Sequence, residues 1–212
     1  MYIVGQNSDT VYQYTLSTPW NIGTAVYANK SFAIGSQETS PQEVKFNPTG
    51  TTMYVMGNGT RRVYQYTLST AWDVTTASYS SQNFYLGSQD GTPTGLSFNS
   101  TGTVMHMVGS SDYVYQYTLS TAWDVGTASY ASKSFYMGSQ MDNPQSVNFN
   151  SLGTKMLVTD YTTHRVYQYT LSTPWDVSTA SYGGYKEQFY TMTNEGNFGI
   201  GTSTPTQTLD VN

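Results

Sequence analysis

The sequence predicts an all-β chain assembled from repeated four-stranded units, and three observations carry that reading. Val-Tyr-Gln-Tyr-Thr-Leu-Ser-Thr occurs four times, beginning at Val11, Val63, Val114 and Val166, at spacings of 52, 51 and 52 residues. A Trp follows each copy at one fixed offset (Trp20, Trp72, Trp123 and Trp175). No segment shows the apolar period of a helix, whereas the repeats alternate their side chains with strand period. A period near 50 fits one propeller blade and exceeds most helical solenoid repeats. The predicted fold is a β-propeller of about 50-residue four-stranded blades, with about four repeats and a short β-rich C-terminal tail.

Each strand of a blade is legible in the unit from Glu43 to Gly87. Val44-Lys45-Phe46 is a short first strand, and Asn47-Pro48-Thr49-Gly50 is a hairpin turn in which Pro presets φ and Gly supplies the left-handed conformation. Thr52 to Met56 forms the second strand and Arg62 to Ser69 the third. On the third, Tyr64, Tyr66 and Leu68 share one face, and Val63, Gln65 and Thr67 the other. Neither face is charged, which suits a sheet covered on both sides by neighbouring blades. Thr70-Ala71-Trp72-Asp73 turns the chain into an outer strand, Ala77 to Leu86.

Residues 1–193 therefore read as propeller repeats: a partial blade over 1–37, then repeats over 38–89, 90–140 and 141–193. Residues 194–212 form a tail and oligomerisation segment. Met1-Tyr2-Ile3-Val4-Gly5 aligns with Met53-Tyr54-Val55-Met56-Gly57, so the chain begins on the second strand of a blade. One innermost strand is missing, and Asn197-Phe198-Gly199-Ile200 is expected to supply it, which would close a four-bladed ring and remove its open edges. Two chains completing an eight-bladed ring, or a longer array of which this chain is a part, are the alternatives.

Composition narrows the class. Charged residues make up 10% of the chain, against about 25% in typical soluble domains. Twenty Tyr, nine Met and four Trp supply the apolar surface, and Tyr keeps a polar atom for water or a backbone partner. With 8 basic against 13 acidic residues, nucleic-acid binding has no electrostatic basis. There is no Cys, which excludes disulfides and thiolate metal sites. No apolar run approaches membrane-spanning length and no leader pattern opens the chain, so no membrane insertion is expected. An uncharged surface rich in Tyr, Ser, Thr and Asn fits a virion or extracellular location.

The unit resembles the propeller repeats of the YVTN type. The resemblance lies in Phe46-Asn47-Pro48-Thr49-Gly50-Thr51 leading to Met53-Tyr54-Val55 and then Val63-Tyr64-Gln65-Tyr66, and in the matching runs from Phe98 and Phe149. It implies the fold and no activity. The Trp-Asp pairs also resemble WD40 repeats, but the Gly-His element is absent and the period is too long. Phe198-Gly-Ile-Gly-Thr-Ser-Thr-Pro205, followed by Leu209-Asp-Val211, resembles the segment preceding the chaperone domain of phage tail fibres and tailspikes. That resemblance implies a homotrimer in which Phe198, Ile200, Leu209 and Val211 pack around the threefold axis.

The chemistry of an enzyme is not apparent. Acidic residues are scattered, with no calcium-loop spacing and no visible channel carboxylates. His106 replaces Tyr54 of its repeat and reads as a packed residue, and no Ser-His-Asp set can be assembled. Asp73, Asp124 and Asp176 read as turn caps. The expectation is a protein without catalytic residues, metal or cofactor, and not an enzyme. What varies between repeats is the pair of loops after strands two and four. Because strands alternate direction, both emerge on one face, while the opposite turns are nearly constant. Arg61, Arg62, Tyr113, Tyr161, His164 and Arg165, with Asp90, Asp112 and Asp142, are the candidate contacts on that face. The leading functional reading is a virion tail-fibre or receptor-binding protein that meets a host-surface glycan or protein. A bacterial adhesin or polysaccharide-binding module and a purely architectural coat protein are the alternatives.

Overall fold

The computed structural model describes residues 1–186, 190–192 and 198–200, with side chains as far as 184. Four antiparallel sheets follow one another along the chain as the blades of a propeller. The first has three strands, β1 (Tyr2–Gly5), β2 (Thr10–Leu16) and β3 (Ala25–Ala33). The second is β4 (Pro41–Phe46), β5 (Thr52–Gly57), β6 (Arg62–Leu68) and β7 (Ala77–Tyr85). The third is β8 (Pro93–Phe98), β9 (Val104–Gly109), β10 (Tyr113–Leu119) and β11 (Ala128–Tyr136). The fourth is β12 (Pro144–Phe149), β13 (Lys155–Asp160), β14 (Arg165–Leu171) and β15 (Ala180–Lys186). Within each sheet the strands pair in chain order, and β4, β8 and β12 lie side by side as the innermost strands.

The expected closure by the tail is not what the chain does. Phe198–Ile200 (β17) pairs with Tyr190–Met192 (β16) in a separate two-stranded sheet, and among the described residues the first blade has three strands. The side chains of Phe198 and Ile200, and the whole of Leu209 and Val211, lie outside the described residues.

The hydrophobic cores lie between blades rather than within them. One set of contacts recurs at each of the three blade junctions. A residue of the second strand reaches the carbonyl of the next blade's Trp: Tyr2 Oη donates to Trp72 over 2.7 Å, Tyr54 Oη to Trp123 over 2.6 Å, and His106 Nε2–H to Trp175 over 3.0 Å. A Gln of the third strand accepts from the next blade's backbone: Gln13 from Val74 N–H, Gln65 from Val125 N–H and Gln116 from Val177 N–H. Beside these, Phe32 meets Tyr66, Phe84 meets Tyr117 and Phe135 meets Tyr169 edge-on, with ring centroids 5.4–5.5 Å apart. The Gln of the first three octapeptides thus reaches out of its own blade, which satisfies a backbone donor that burial would otherwise strand.

The Asp after Trp72, Trp123 and Trp175 caps a short turn, as expected. Asp73, Asp124 and Asp176 each accept from the N–H two residues on, opening one turn of 3-10 helix. Asp73 and Asp176 also hold Lys30 and Lys133 of the preceding blade at 2.7 and 2.6 Å.

The nearly constant turns are sterically locked. Gly50, Gly102 and Gly153 have φ near +70, and a Cβ on any of them would stand 2.3–2.4 Å from the indole of Trp72, Trp123 or Trp175. The backbone of each of these Trp residues is tied to the same turn, since its main-chain N–H donates to the carbonyl of that Gly over 2.8–2.9 Å. Each Trp itself has φ between 63 and 66, a conformation bulky side chains rarely adopt. Packing alone therefore explains why this face does not vary between repeats.

Candidate functional site

The two variable loop classes do share a face, because buried carboxylates tie them together. Glu38, in the loop entering the second blade, accepts from Ser40, Gly59 and Thr60 N–H at 2.8–3.1 Å and from Thr60 Oγ1 at 2.5 Å. Asp90 does the same one blade on, accepting from Thr92 N–H at 2.8 Å, Ser111 N–H at 3.0 Å and Ser111 Oγ at 2.5 Å. Asp90, expected as a contact, is thus a fully occupied clamp within the protein. Four donors around each buried carboxylate, with Ser110 Oγ the fourth at Asp90, leave it no free lone pair to offer a ligand.

The fourth blade makes the same clamp with its residues exchanged. Met141 stands where Glu38 and Asp90 stand and is buried. Asp160 stands where Gly57 and Gly109 stand, and it accepts from Asn143 N–H at 2.8 Å, Thr163 N–H at 2.7 Å and Thr163 Oγ1 at 2.7 Å. The exchange obeys space: a Cβ on Gly57 would lie 2.3 Å from the Glu38 carboxyl carbon, and one on Gly109 would lie 2.5 Å from that of Asp90. Only one of the two positions can carry the acid. Burial pushes Asp160 upward, but its hydrogen bonds to Thr163 and Asn143 outweigh this and hold the carboxyl below the usual range.

The remaining expected contacts fall on three blades. Arg61 is exposed with φ 56, and Arg62 donates to Asn83 Oδ1 at 2.6 Å while its guanidinium lies 5.2 Å above the Tyr85 ring. On the third blade Tyr113 stacks on Tyr115 at 5.6 Å and meets Tyr136 at 4.9 Å. On the fourth, Tyr161 is 65% exposed with its ring 6.0 Å from that of His164, which is also exposed, and Arg165 is half-buried beside them at the start of β14. Asp112 is pushed above the ordinary carboxylate range, first by burial and then by the negative charges of Asp142, Asp160 and Asp90. Asp142 itself is exposed. Tyr85 and Tyr136, at the ends of the outer strands, escaped the sequence reading. They sit beside varied loops, yet only register shows that they border them.

The innermost strands carry a second group the sequence did not single out. Glu43 and Lys45 pair at 3.4 Å on β4, and burial raises the Glu43 carboxyl against the opposing pull of Lys45. Lys45 also lines a cleft of about 340 Å³ on the constant face, with Ser97 and Asn148 at the same position of the next two blades and with Trp72 and Trp123. Among the described residues, no three of His, Asp and Glu are grouped to hold a metal ion. No helix among them is long and apolar enough to cross a membrane.

No family model matches the chain, and no curated protein matches it. Solved structures do. A Lactobacillus plantarum protein is 13% identical with a TM-score of 0.59, covering 87% of this chain and 51% of its own. A protein provisionally named 6-phosphogluconolactonase, from Bacteroides fragilis, is 13% identical with a TM-score of 0.55, covering 89% and 56%. A Pseudomonas aeruginosa periplasmic gluconolactonase is 13% identical with a TM-score of 0.53, covering 88% and 49%. The chain thus spans about half the length of these structures. Likeness at this identity establishes the propeller fold. It also corrects the expectation that the chain is not an enzyme: propellers named for lactone hydrolysis share its scaffold, and Glu43 is a carboxylate on an innermost strand, where that expectation assumed none.

Proposed function

We propose that this protein is a recognition propeller displayed on a virion or cell surface, whose loop-bearing face binds a host-surface glycan or protein. The carrying observation is the exposure of Tyr161 and His164 as a tilted aromatic pair on loops that differ from blade to blade. The Tyr113–Tyr136 pair extends aromatic surface onto the adjacent blade. Aromatic faces at a rigid loop mouth suit stacking on sugar rings and serve as anchors in protein interfaces. The buried clamps at Glu38, Asp90 and Asp160 hold these loops without consuming the exposed groups. The resemblance of the C-terminal run to tail fibres supports the virion context. The test is a glycan array and a host-cell binding assay on the full chain. Tyr161→Ala and His164→Ala should each weaken binding at least tenfold. Binding indifferent to both would exclude this face.

A second reading, action on a sugar lactone, is favoured by the Glu43–Lys45 pair on β4 together with the lactonase names of the similar propellers. Turnover of gluconolactone that Glu43→Gln abolishes would establish it, and turnover unchanged in that variant would dismiss it.

A further inference from the structure

We propose that a second copy of this chain docks head-to-tail on the two blade faces that the first leaves uncovered, so that two chains form one eight-bladed ring with twofold symmetry. The argument is continuity with the three junctions already formed. At each of those, one apolar residue of the 3-10 turn is sealed by the preceding blade: Val74, Val125 and Val177 are all at 0% exposure. The matching residue of the first blade is Ile22, and it is 74% exposed. Trp20, which matches Trp72, Trp123 and Trp175, is fully exposed as well.

The last blade shows the complementary vacancy. The position held by Tyr54 and His106, both fully buried where they meet the next Trp, is held in the fourth blade by Leu157, which is 41% exposed. Gln168, the counterpart of the three Gln side chains that cross a junction, is exposed. In the ring, Leu157 lies on the indole of the other copy's Trp20, and the Gln168 amide oxygen accepts from the other copy's Ile22 N–H.

Charge fits the same pairing. Lys30 and Lys133 stand opposite Gln13 and Gln116 in their sheets and reach Asp73 and Asp176 of the following blade. In the fourth blade the residue opposite Gln168 is Gly184, which offers no cation. In the first blade the turn cap is Asn21 rather than Asp, which needs none. The two ends have lost the two halves of one ion pair, so their union buries no unmatched charge.

Two copies make the smallest closed assembly, because each arc of four sheets ends in one unfilled head and one unfilled tail. Head-to-tail contact of two such arcs closes on itself by a twofold axis, with no open face left for fibres.

The test is the native mass of the full chain by sedimentation. The expected result is twice the chain mass. Ile22→Lys and Leu157→Asp, both at exposed sites that leave the blades intact, should each raise the dissociation constant at least a hundredfold. An equimolar mixture of the two variants should reassemble, because one junction is then native and the other pairs Lys with Asp. Thr118→Lys, on an octapeptide position exposed within the arc, should leave the mass unchanged. A monomer of the native sequence, or a dimer untouched by both variants, would overturn the proposal. So would a threefold particle insensitive to Ile22→Lys, which would assign assembly to the C-terminal segment.

Discussion

His106→Tyr is the perturbation that most directly tests how the blades are joined. At two junctions a Tyr hydroxyl donates to the Trp carbonyl, and at the third the imidazole does so, with its ring 4.4 Å from Phe149 as Tyr54 is 4.6 Å from Phe98. The His106 ring is fully buried, and its Nδ1 has no partner. Burial opposes the imidazolium more strongly than the Trp175 carbonyl favours it, and the pKa falls from 6.5 to about 4. A depressed folded-state value means that the unfolded chain binds the proton first. Stability from this group is complete above 6.5 and is lost as pH falls towards 4. At about 1.4 kcal/mol per unit, the loss comes to roughly 2 kcal/mol by pH 5 and roughly 3 kcal/mol in full. Tyrosine carries no such proton over that range, and the site already accepts it in the neighbouring junctions. Urea unfolding of both proteins from pH 8 to pH 4.5 isolates the term, because every carboxylate is common to the two. The variant should match or exceed the native protein at pH 8, and the gap should widen by roughly 2 kcal/mol at pH 5. Parallel decline of the two curves would show that His106 is not the buried, neutral group described here.

Two further outcomes follow from the turns and clamps. Gly102→Ala should cost about 1–3 kcal/mol from the left-handed backbone alone, and more as the Trp123 indole is displaced, which loss of native tryptophan fluorescence in thermal unfolding will report. Asp160→Gly should destabilise the fourth blade by about 2 kcal/mol, by leaving the Asn143 and Thr163 N–H groups without their acceptor. Adding Met141→Glu should restore most of that loss, since the pair then matches Glu38 with Gly57, and a double-mutant cycle in urea measures the coupling. Additive losses in that cycle would refute the exchange of clamp positions.

Much of the molecule was written in the chain. The four octapeptides fixed the strand period and the count of blades, because a strand's alternation and its Gly and Pro turns are local properties of sequence. The Asp after Trp72, Trp123 and Trp175 was legible as a cap for the same reason. The clamp exchange, Met141 with Asp160 against Glu38 with Gly57, was also visible on aligning the repeats. Its meaning was not, since each clamp takes donors from a second loop that only the folded blade brings alongside. Asp90 looked like a contact because it varies within a loop, and only its buried shell of Ser and Thr donors shows otherwise.

What the sequence determined by itself was the blade: strand order, turn chemistry, and which side chains are apolar. What tertiary structure decided was how the blades meet. The octapeptide Gln and the second-strand Tyr look like ordinary polar residues until the neighbouring blade places a backbone N–H or a carbonyl against them. The route of the tail was decided there too, because β17 joins β16 and among the described residues the first blade has three strands. The joining of the blades depends on contacts between residues fifty or more apart, whose free energy exists only once the sheets are stacked and no local pattern encodes it.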